Sequence, residues 1–382
     1  MSDWAEFSLE DLVEVHNHKR VPLSSMQRAE RQGSYPYYGA SGIIDHVNDY
    51  LFDGEYVLVS EDGENLKSRN TPIAFKATGQ FWVNNHAHIL RGKKPHINDL
   101  LIYYFQNLDL HPFITGAVQP KLNKANLLSI PLFLPRKDEE QKAITAVLAS
   151  LDDKIDLLHR QNKTLETLAQ TLFRHWFIDG AEDDWEERSL YDAIDLVGGG
   201  TPKTSVESYW NGDIYWLSGG DIASNHKSFV VSSEKSITEV GLNNSSAKLL
   251  PKHSTVISAR GTVGKYCILA EPMTFSQSNY GIKPKFEGCF FFTYLLIDYS
   301  VTALQSAAYG SVFDTITTRT FKNHIIDIPP VAEIYKFEEE VAPYFQRMEL
   351  NQKQIRTLEK LRDTLLPKLM SGEVRVRLRQ QN

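Results

Sequence analysis

Two stretches of this chain spell nearly the same helix. TLETLAQTLF fills residues 164–173 and TLEKLRDTLL fills residues 357–366, identical at six of ten positions and offset by 193 residues. A chain that repeats one amphipathic helix at this distance is built from two copies of a larger unit. Shorter matches recur in the same order: WAEFSLED from Trp4 with WEERSLYD from Trp185, FWVNNH (81–86) with FSQSNY (275–280), GAVQ (116–119) with GSVF (310–313), and LLSIPL (127–132) with IIDIPP (325–330). The sequence reads as a tandem duplication whose middles have diverged.

The helices carry a second constraint. Apolar or spacer positions recur at Ile144, Leu148, Leu151, Ile155, Leu158, Asn162, Leu165, Ala169, Leu172 and Trp176, and again at Phe337, Val341, Tyr344, Met348, Asn351, Ile355, Leu358, Arg362, Leu365 and Leu369. Steps alternating four and three make a coiled-coil seam. Each helix of roughly forty residues is about 58 Å long. Asp179-Gly180 and Ser371-Gly372 supply stops, and Pro367 predicts a kink. The plainer alternative is that each helix only packs on its own globular domain. A duplicated chain can instead bury the equivalent helices against each other, antiparallel, about a pseudo-two-fold axis. Asn162 and Asn351, one per seam, are then expected to face each other and fix register. By the same symmetry the first segment lies against the end of the second helix, making the organisation circular.

The expected fold is α+β: two globular target domains joined by two long helices in an intramolecular antiparallel coiled coil. The first globular domain covers 1–135 and the first helix 136–178. The second domain covers 179–330 and the second helix 331–372, with a basic tail at 373–382. Runs such as EYVLVS and STVISA, broken by FDG, EDG, WNG and ARG turns, make both domains β-rich.

Composition narrows the function. At 382 residues the chain exceeds one compact core, and no apolar run is long enough to span a bilayer. Cys267 and Cys289 are the two cysteines; their spacing fits neither a disulfide framework nor a zinc site. The acidic start lacks a secretory core, so a cytoplasmic location is expected. The net charge of −7 argues against a uniformly basic nucleic-acid binder, but charge is unevenly placed. DGAEDDWEE (179–187) holds six acids and no base, whereas 188–330 balances twelve Lys/Arg against twelve Asp/Glu. No phosphate loop, dinucleotide fingerprint or adenine-methyltransferase Asn-Pro-Pro-type motif occurs. His86 and His88 read as ordinary strand histidines. Asp138, Glu140 and Lys142 open a helix, where acids suit the dipole. Neither a catalytic residue nor a metal ligand is expected.

Several phrases together resemble the specificity subunit of type I restriction–modification systems. They are LASLDDKIDLLHRQNKTLETLAQTLFRHWF, LRDTLLPKLMSGEV, and GGGTPKTSVESYWNGDIYWLSGGDI with ISARGTVGKY downstream. The resemblance covers essentially the whole chain. It implies two target-recognition domains, each reading one half of a split double-stranded DNA sequence. It also implies helices that set the half-site spacing and dock two methyltransferase subunits, with restriction/translocase subunits in the same assembly. The chain itself is then not an enzyme and binds no cofactor. S-adenosylmethionine belongs to the methyltransferase partner, and ATP and Mg to the restriction partner. Diverged middles predict an asymmetric target. One heptad, about 10 Å of helix, corresponds to roughly three base pairs. Two other classes remain open from the residues alone: a coiled-coil adaptor binding only proteins, and a self-sufficient methyltransferase.

DNA reading requires donors and acceptors on loops that reach a groove. The candidates are Asn84, Asn85, His86, Lys121 and Lys124 in the first domain. In the second they are Thr201 and Lys203 in GGGTPK, where backbone amides suggest a phosphate contact, then Arg260 and Lys265 in ARGTVGK, and Gln277, Asn279 and Tyr280.

Overall fold

The structure, a computed structural model, describes residues 3–116, 118–309 and 314–376. The GSVF phrase (310–313), Ala117 of its GAVQ partner and tail residues 377–382 therefore lie outside the described residues. The chain divides into two compact units, Met1–Ile155 with Leu358–Asn382, and Asp156–Thr357.

In the first unit, strands β1 (Trp4–Ser8), β2 (Val13–Val15), β3 (Gln32–Gly39), β4 (Gly42–Val47), β5 (Phe52–Ser60), β6 (Ala74–Val83), β7 (Ala87–Gly92) and β8 (Pro131–Pro135) appear in chain order. Six of them form a sheet in the order β2-β7-β5-β6-β3-β4, and β1 pairs with β8. Burial decides the faces. Val57, Val59 and Leu90 alternate onto one face with the helix Pro95–Asn107, while Tyr56, Leu58 and Ile89 pack on the other with Phe52 and Phe81. Alternation of this kind fixes register, because a slip of one residue exchanges the faces.

The second unit contains β9 (Glu186–Ser189), β10 (Ile194–Gly198), β11 (Trp210–Leu217), β12 (Phe229–Val230), β13 (Lys235–Ile237), β14 (Thr255–Ser258), β15 (Tyr266–Leu269), β16 (Thr274–Phe275), β17 (Asn279–Pro284) and β18 (Ile325–Ile328). Its sheets run β10-β17-β14-β15-β12 and β13-β11-β16, with β18 paired to β9. This is the first unit's topology with one strand cut. β6 pairs antiparallel with β5 along its length and parallel with β3 at Trp82 and Val83. In the second unit β15 takes the antiparallel pairing and β16 the parallel one. Pro272 lies in the gap between them, and its missing N–H cannot join an internal ladder.

The strand partners also correct two of the sequence matches. Ser60 pairs with Ala87 and Ser258 with Asn279, so Asn84, Asn85 and His86 correspond to Ser276, Gln277 and Ser278, two positions from the FWVNNH–FSQSNY alignment. Likewise β1–β8 and β9–β18 place PLFLP, not LLSIPL, opposite IIDIP, a shift of four. Short shared apolar words tolerate such slips; pairing partners do not.

The long helices are Asp138–Phe177 and Val331–Ser371, the latter running through Pro367. Every seam position is buried or half-buried. Within the first unit Asp152 bonds Arg362 at 2.9 Å and Glu140 bonds Arg375. Within the second, Asn351 Nδ2 donates to Asn162 Oδ1 at 2.8 Å, and Phe177 packs on Phe337 with ring centroids 4.8 Å apart. Low numbers meet high ones in both, so the pair is antiparallel in each unit. The helices also cap their own domains. Phe173 and Phe177 pack on Phe292 of the helix Phe290–Tyr309, while Leu366, Leu369 and Met370 join Trp4 and Leu101 in the first core. The seam and the domain-packing alternative therefore both hold. The circular arrangement is present inside the first unit. Trp4 lies against Gly372, a left-handed glycine after the helix, and Arg375 reaches Asp3 at 3.0 Å.

Candidate nucleic-acid interface

In each unit the polar candidates gather where the central strand ends. In the first, β5 ends at Ser60, whose hydroxyl donates to Ala40 O of the β3–β4 turn at 2.6 Å. Glu61 N–H donates to His86 O, and Leu122 N–H returns to Glu61 O. Three loops, 40–41, 84–86 and 119–122, are thereby tied to one strand end. Asn85, His86 and Lys121 are exposed there. His86 Nδ1 bonds both oxygens of Asp62 at 2.9 Å, which fixes the ring at the carboxylate while the side chain stays half exposed. Arg20 Nη1 clamps Glu61 at 2.5 Å together with the carbonyls of Asn85 and Ala87. Asn17 holds the neighbouring strand by bonding His88 Nδ1 and Ile89 N–H. Burial pushes the His88 imidazole down from its ordinary value, which keeps it neutral as a strut.

Asn84 does not serve as a base reader. It is 7 % exposed, and its Oδ1 accepts His86 N–H, which shapes the turn. Lys124 is exposed at the start of the short helix Lys124–Leu128 and makes no ion pair among the described residues.

In the second unit β14 ends at Ser258, the counterpart of Ser60. Ala259 N–H donates to Ser278 O, repeating the Glu61–His86 bond. The loop 259–265 turns back on itself, with Gly261 at φ +75°, a conformation glycine adopts at no steric cost. Ser258 Oγ donates to Arg260 O and accepts from Thr262 Oγ1. Arg260 and Gln277 are exposed on these tied loops and Lys265 is half-buried, and Arg260 has no ion pair among the described residues.

Three expectations in this unit need correction. Asn279 is 1 % exposed and lies inside β17, its Nδ2 bonded to Ser276 Oγ. Tyr280 follows in the same strand and packs edge-on against Phe321. Both are framework, Asn279 because it is buried and bonded within the turn, and Tyr280 because its ring is half-buried against Phe321. The GGGTPK amides are also committed. Gly199 N–H and Gly200 N–H donate to Asn279 O and Phe275 O, and Trp216 Nε1 bonds Gly200 O. The glycines are required by close packing: a Cβ on Gly200 would lie 2.2 Å from Ser246 C. Thr201 is half-buried beside this turn and Lys203 is exposed.

Asp62, Arg20 and Thr262 were invisible to the loop-polarity argument, because their roles arise from strand pairing. Among the described residues no group of three or more His, Cys, Asp or Glu side chains is placed to hold a metal, and no helix is long and apolar enough to cross a membrane.

The sequence and the architecture match known proteins. The type I restriction modification DNA specificity domain matches twice, at residues 1–167 and 182–365. The chain belongs to the type I restriction–modification specificity family. It is a specificity subunit with two DNA specificity domains. A putative type I restriction enzyme specificity subunit of Haemophilus influenzae is 39 % identical over 127 residues, 33 % of this chain and 32 % of that protein. The MjaIX specificity subunit of Methanocaldococcus jannaschii is 27 % identical over 412 aligned positions, covering 98 % of this chain and 94 % of the relative. The crystal structure of the S subunit from M. genitalium shares the fold at a TM-score of 0.65 and 13 % identity, covering 96 % of both chains.

Proposed function

We propose that each specificity domain of this subunit reads one half of an asymmetric, bipartite DNA target through the loops tied to the ends of β5 and β14. The observation that carries the reading is the charge reversal at one equivalent position. Two residues past the serine that ends the central strand, the first domain has Asp62, bonded to His86, and the second has Arg260, which has no ion pair among the described residues. An exposed guanidinium suits guanine O6 and N7, whereas a neutral His86 held through Nδ1 by Asp62 has Nε2 to accept a hydrogen from an exocyclic amine. Gln277 and Asn85 supply amides that pair with adenine in the same groove. Lys121, Lys265 and Lys203 suit phosphate contacts, which make affinity fall with salt.

On this reading the subunit is not catalytic. The long helices set the half-site spacing and dock two methyltransferase subunits that carry S-adenosylmethionine, and ATP- and Mg-dependent restriction subunits join the assembly in the cytoplasm. The test is sequencing of modified bases in a host expressing the subunit with its methyltransferase partner. Two unlike half-sites support the proposal, and an inverted repeat overturns it. Inserting one heptad in each helix should widen the unread gap by roughly three base pairs; an unchanged gap removes the ruler.

A further inference from the structure

The repeat exposes a vacancy. In the first unit Arg375, just past the second long helix, forms a two-pronged pair with Glu140 at 2.8 and 2.7 Å and a third bond to Asp3. Glu140 is the third residue of the helix Asp138–Phe177. The 193-residue offset maps it onto Glu333, the third residue of Val331–Ser371. Backbone bonds confirm the match: Glu140 N–H donates to Lys137 O and Glu333 N–H to Pro330 O. The paired tryptophans, Trp4 and Trp185, map Asp3 onto Asp184. The same helix offset maps Arg375 onto Glu182. The second unit thus keeps both carboxylates and replaces the arginine between them with a third acid.

The space is open. A cavity of about 460 Å³ is lined by Trp176, Trp185, Phe177, Pro330, His175, Glu182 and Glu333. Trp176 and Trp185 are half-buried, while Glu182 and Asp184 are exposed. Two cations stand near: Lys336 pairs with Glu333 at 2.7 Å one helical turn on, and Arg174 approaches Asp179 at 3.8 Å. Both are solvated pairs of small worth, and neither residue lines the cavity.

We infer that this pocket of the second unit receives an arginine side chain from another polypeptide, its guanidinium bonded to Glu333 and Glu182 and packed on the indoles that line the cavity. The first unit shows the chemistry of the occupant, since its own carboxylate takes a bidentate guanidinium. Arginine suits the site better than lysine, because the planar fork matches a carboxylate and stacks on indole at once. The acidic run 179–187 around the rim draws a basic segment toward it.

The test uses the full subunit and a peptide copying its own GEVRVRL segment (372–378). The indole N–H signals of Trp176 and Trp185 are followed by NMR, assigned through Trp→Phe variants. The peptide should shift both signals saturably. The same peptide with citrulline for arginine should not, and a lysine version should bind about tenfold more weakly. Glu333→Gln should weaken the response about tenfold. Glu182→Arg, which restores the first unit's arrangement in cis, should abolish it and raise Tm. Equal shifts from the citrulline or lysine peptide, or an undiminished response in folded Glu182→Arg, would overturn the inference. If the variants fail to fold, the peptide comparison on the unaltered subunit still decides it. The modified-base pattern of the target is independent of all these outcomes.

Discussion

The two specificity domains share a strand order and differ at their tips. In the first, β3 turns into β4 through residues 40–41 alone. In the second, the corresponding strands β11 and β13 are separated by residues 218–234, which hold a short helix (Gly219–Ser224) and β12. Ser218 and Asp221 cap that helix reciprocally, with a 2.8 Å bond from Ser218 N–H to Asp221, so the insertion is an ordered part of the face. The β5–β7 pairing recurs as β14–β17, and the divergence lies beside it, in this insertion, whose β12 joins the sheet at β15, and in the break between β15 and β16. A sheet held by register can change its loops without changing its core.

The largest expected effect breaks the comparison at its packing. Gly200→Ala places a methyl group where Ser246 and Ala247 backbone atoms already lie within 2.4 Å. Backbone cannot yield as a side-chain end can, so the second unit should lose roughly 4 kcal/mol. The first domain has Lys19, an exposed residue, at the equivalent place, and Lys19→Ala should move stability by less than about 0.5 kcal/mol. Thermal unfolding followed by circular dichroism compares them directly.

Next in size are changes to the reading faces. Arg260→Ala should cost about 2 kcal/mol of discrimination at one base of one half-site, and modified-base sequencing should show that position relaxed with the other half unchanged. Asp62→Asn should act on the opposite half, because the amide no longer holds His86 as the carboxylate does. Uniform loss at both halves, with the salt dependence lowered by about one ion, would instead make Arg260 a phosphate contact.

How much of this was legible beforehand follows from the kind of signal each feature leaves. The duplication and the two helices were readable because identity and period survive divergence. The face at 259–262 was partly readable, since Gly-flanked Arg260 stands out in a run of apolar strands. Asn279 and Tyr280 misled because a polar run looks like a loop, whereas β10 and β14 close around it and leave Asn279 bonded to Ser276. Asp62 was missed for the converse reason: it sits in a turn-like EDG, and its partner His86 is reached only through β5 and β7. The Glu182 substitution for Arg375 left no signal in either copy alone.

A smaller difference separates the two helices where they meet their domains. Glu349 is nearly buried and accepts bonds from Lys252, His253 and Lys353, each 2.8 Å away. Burial works to raise its pKa, but the three donors together outweigh burial and hold the carboxyl down to about 2. Its counterpart in the first helix, Asp156, is exposed. A carboxyl depressed on folding contributes stability above its unfolded pKa and loses it as pH falls toward the folded one. The unaltered subunit should therefore weaken between about pH 4.5 and 2, by up to about 3 kcal/mol on this account. Glu349→Gln should flatten that slope while lowering stability at pH 7. An identical acid slope in the variant would assign it to other groups.

The smallest effect tests the seam itself. Asn351 is 1 % exposed, and its amide is satisfied by Asn162. By the repeat offset, Asn351 stands where the first helix has Leu158, and Asn162 where the second has Ile355. The sequence thus supplies apolar replacements of proven fit. Asn351→Leu alone strands the Asn162 amide, left with only a 3.5 Å approach to Met348 O, and should cost about 1 kcal/mol. Asn162→Ile with Asn351→Leu removes both amides together and should recover that loss or exceed it, because an apolar pair replaces a desolvated polar one. If the asparagines serve to fix register, the double variant should gain stability while its target spacing becomes heterogeneous in modified-base sequencing. A single, unchanged spacing in a stabilised double variant would give register to the apolar seam and leave the asparagines as a tolerated polar layer.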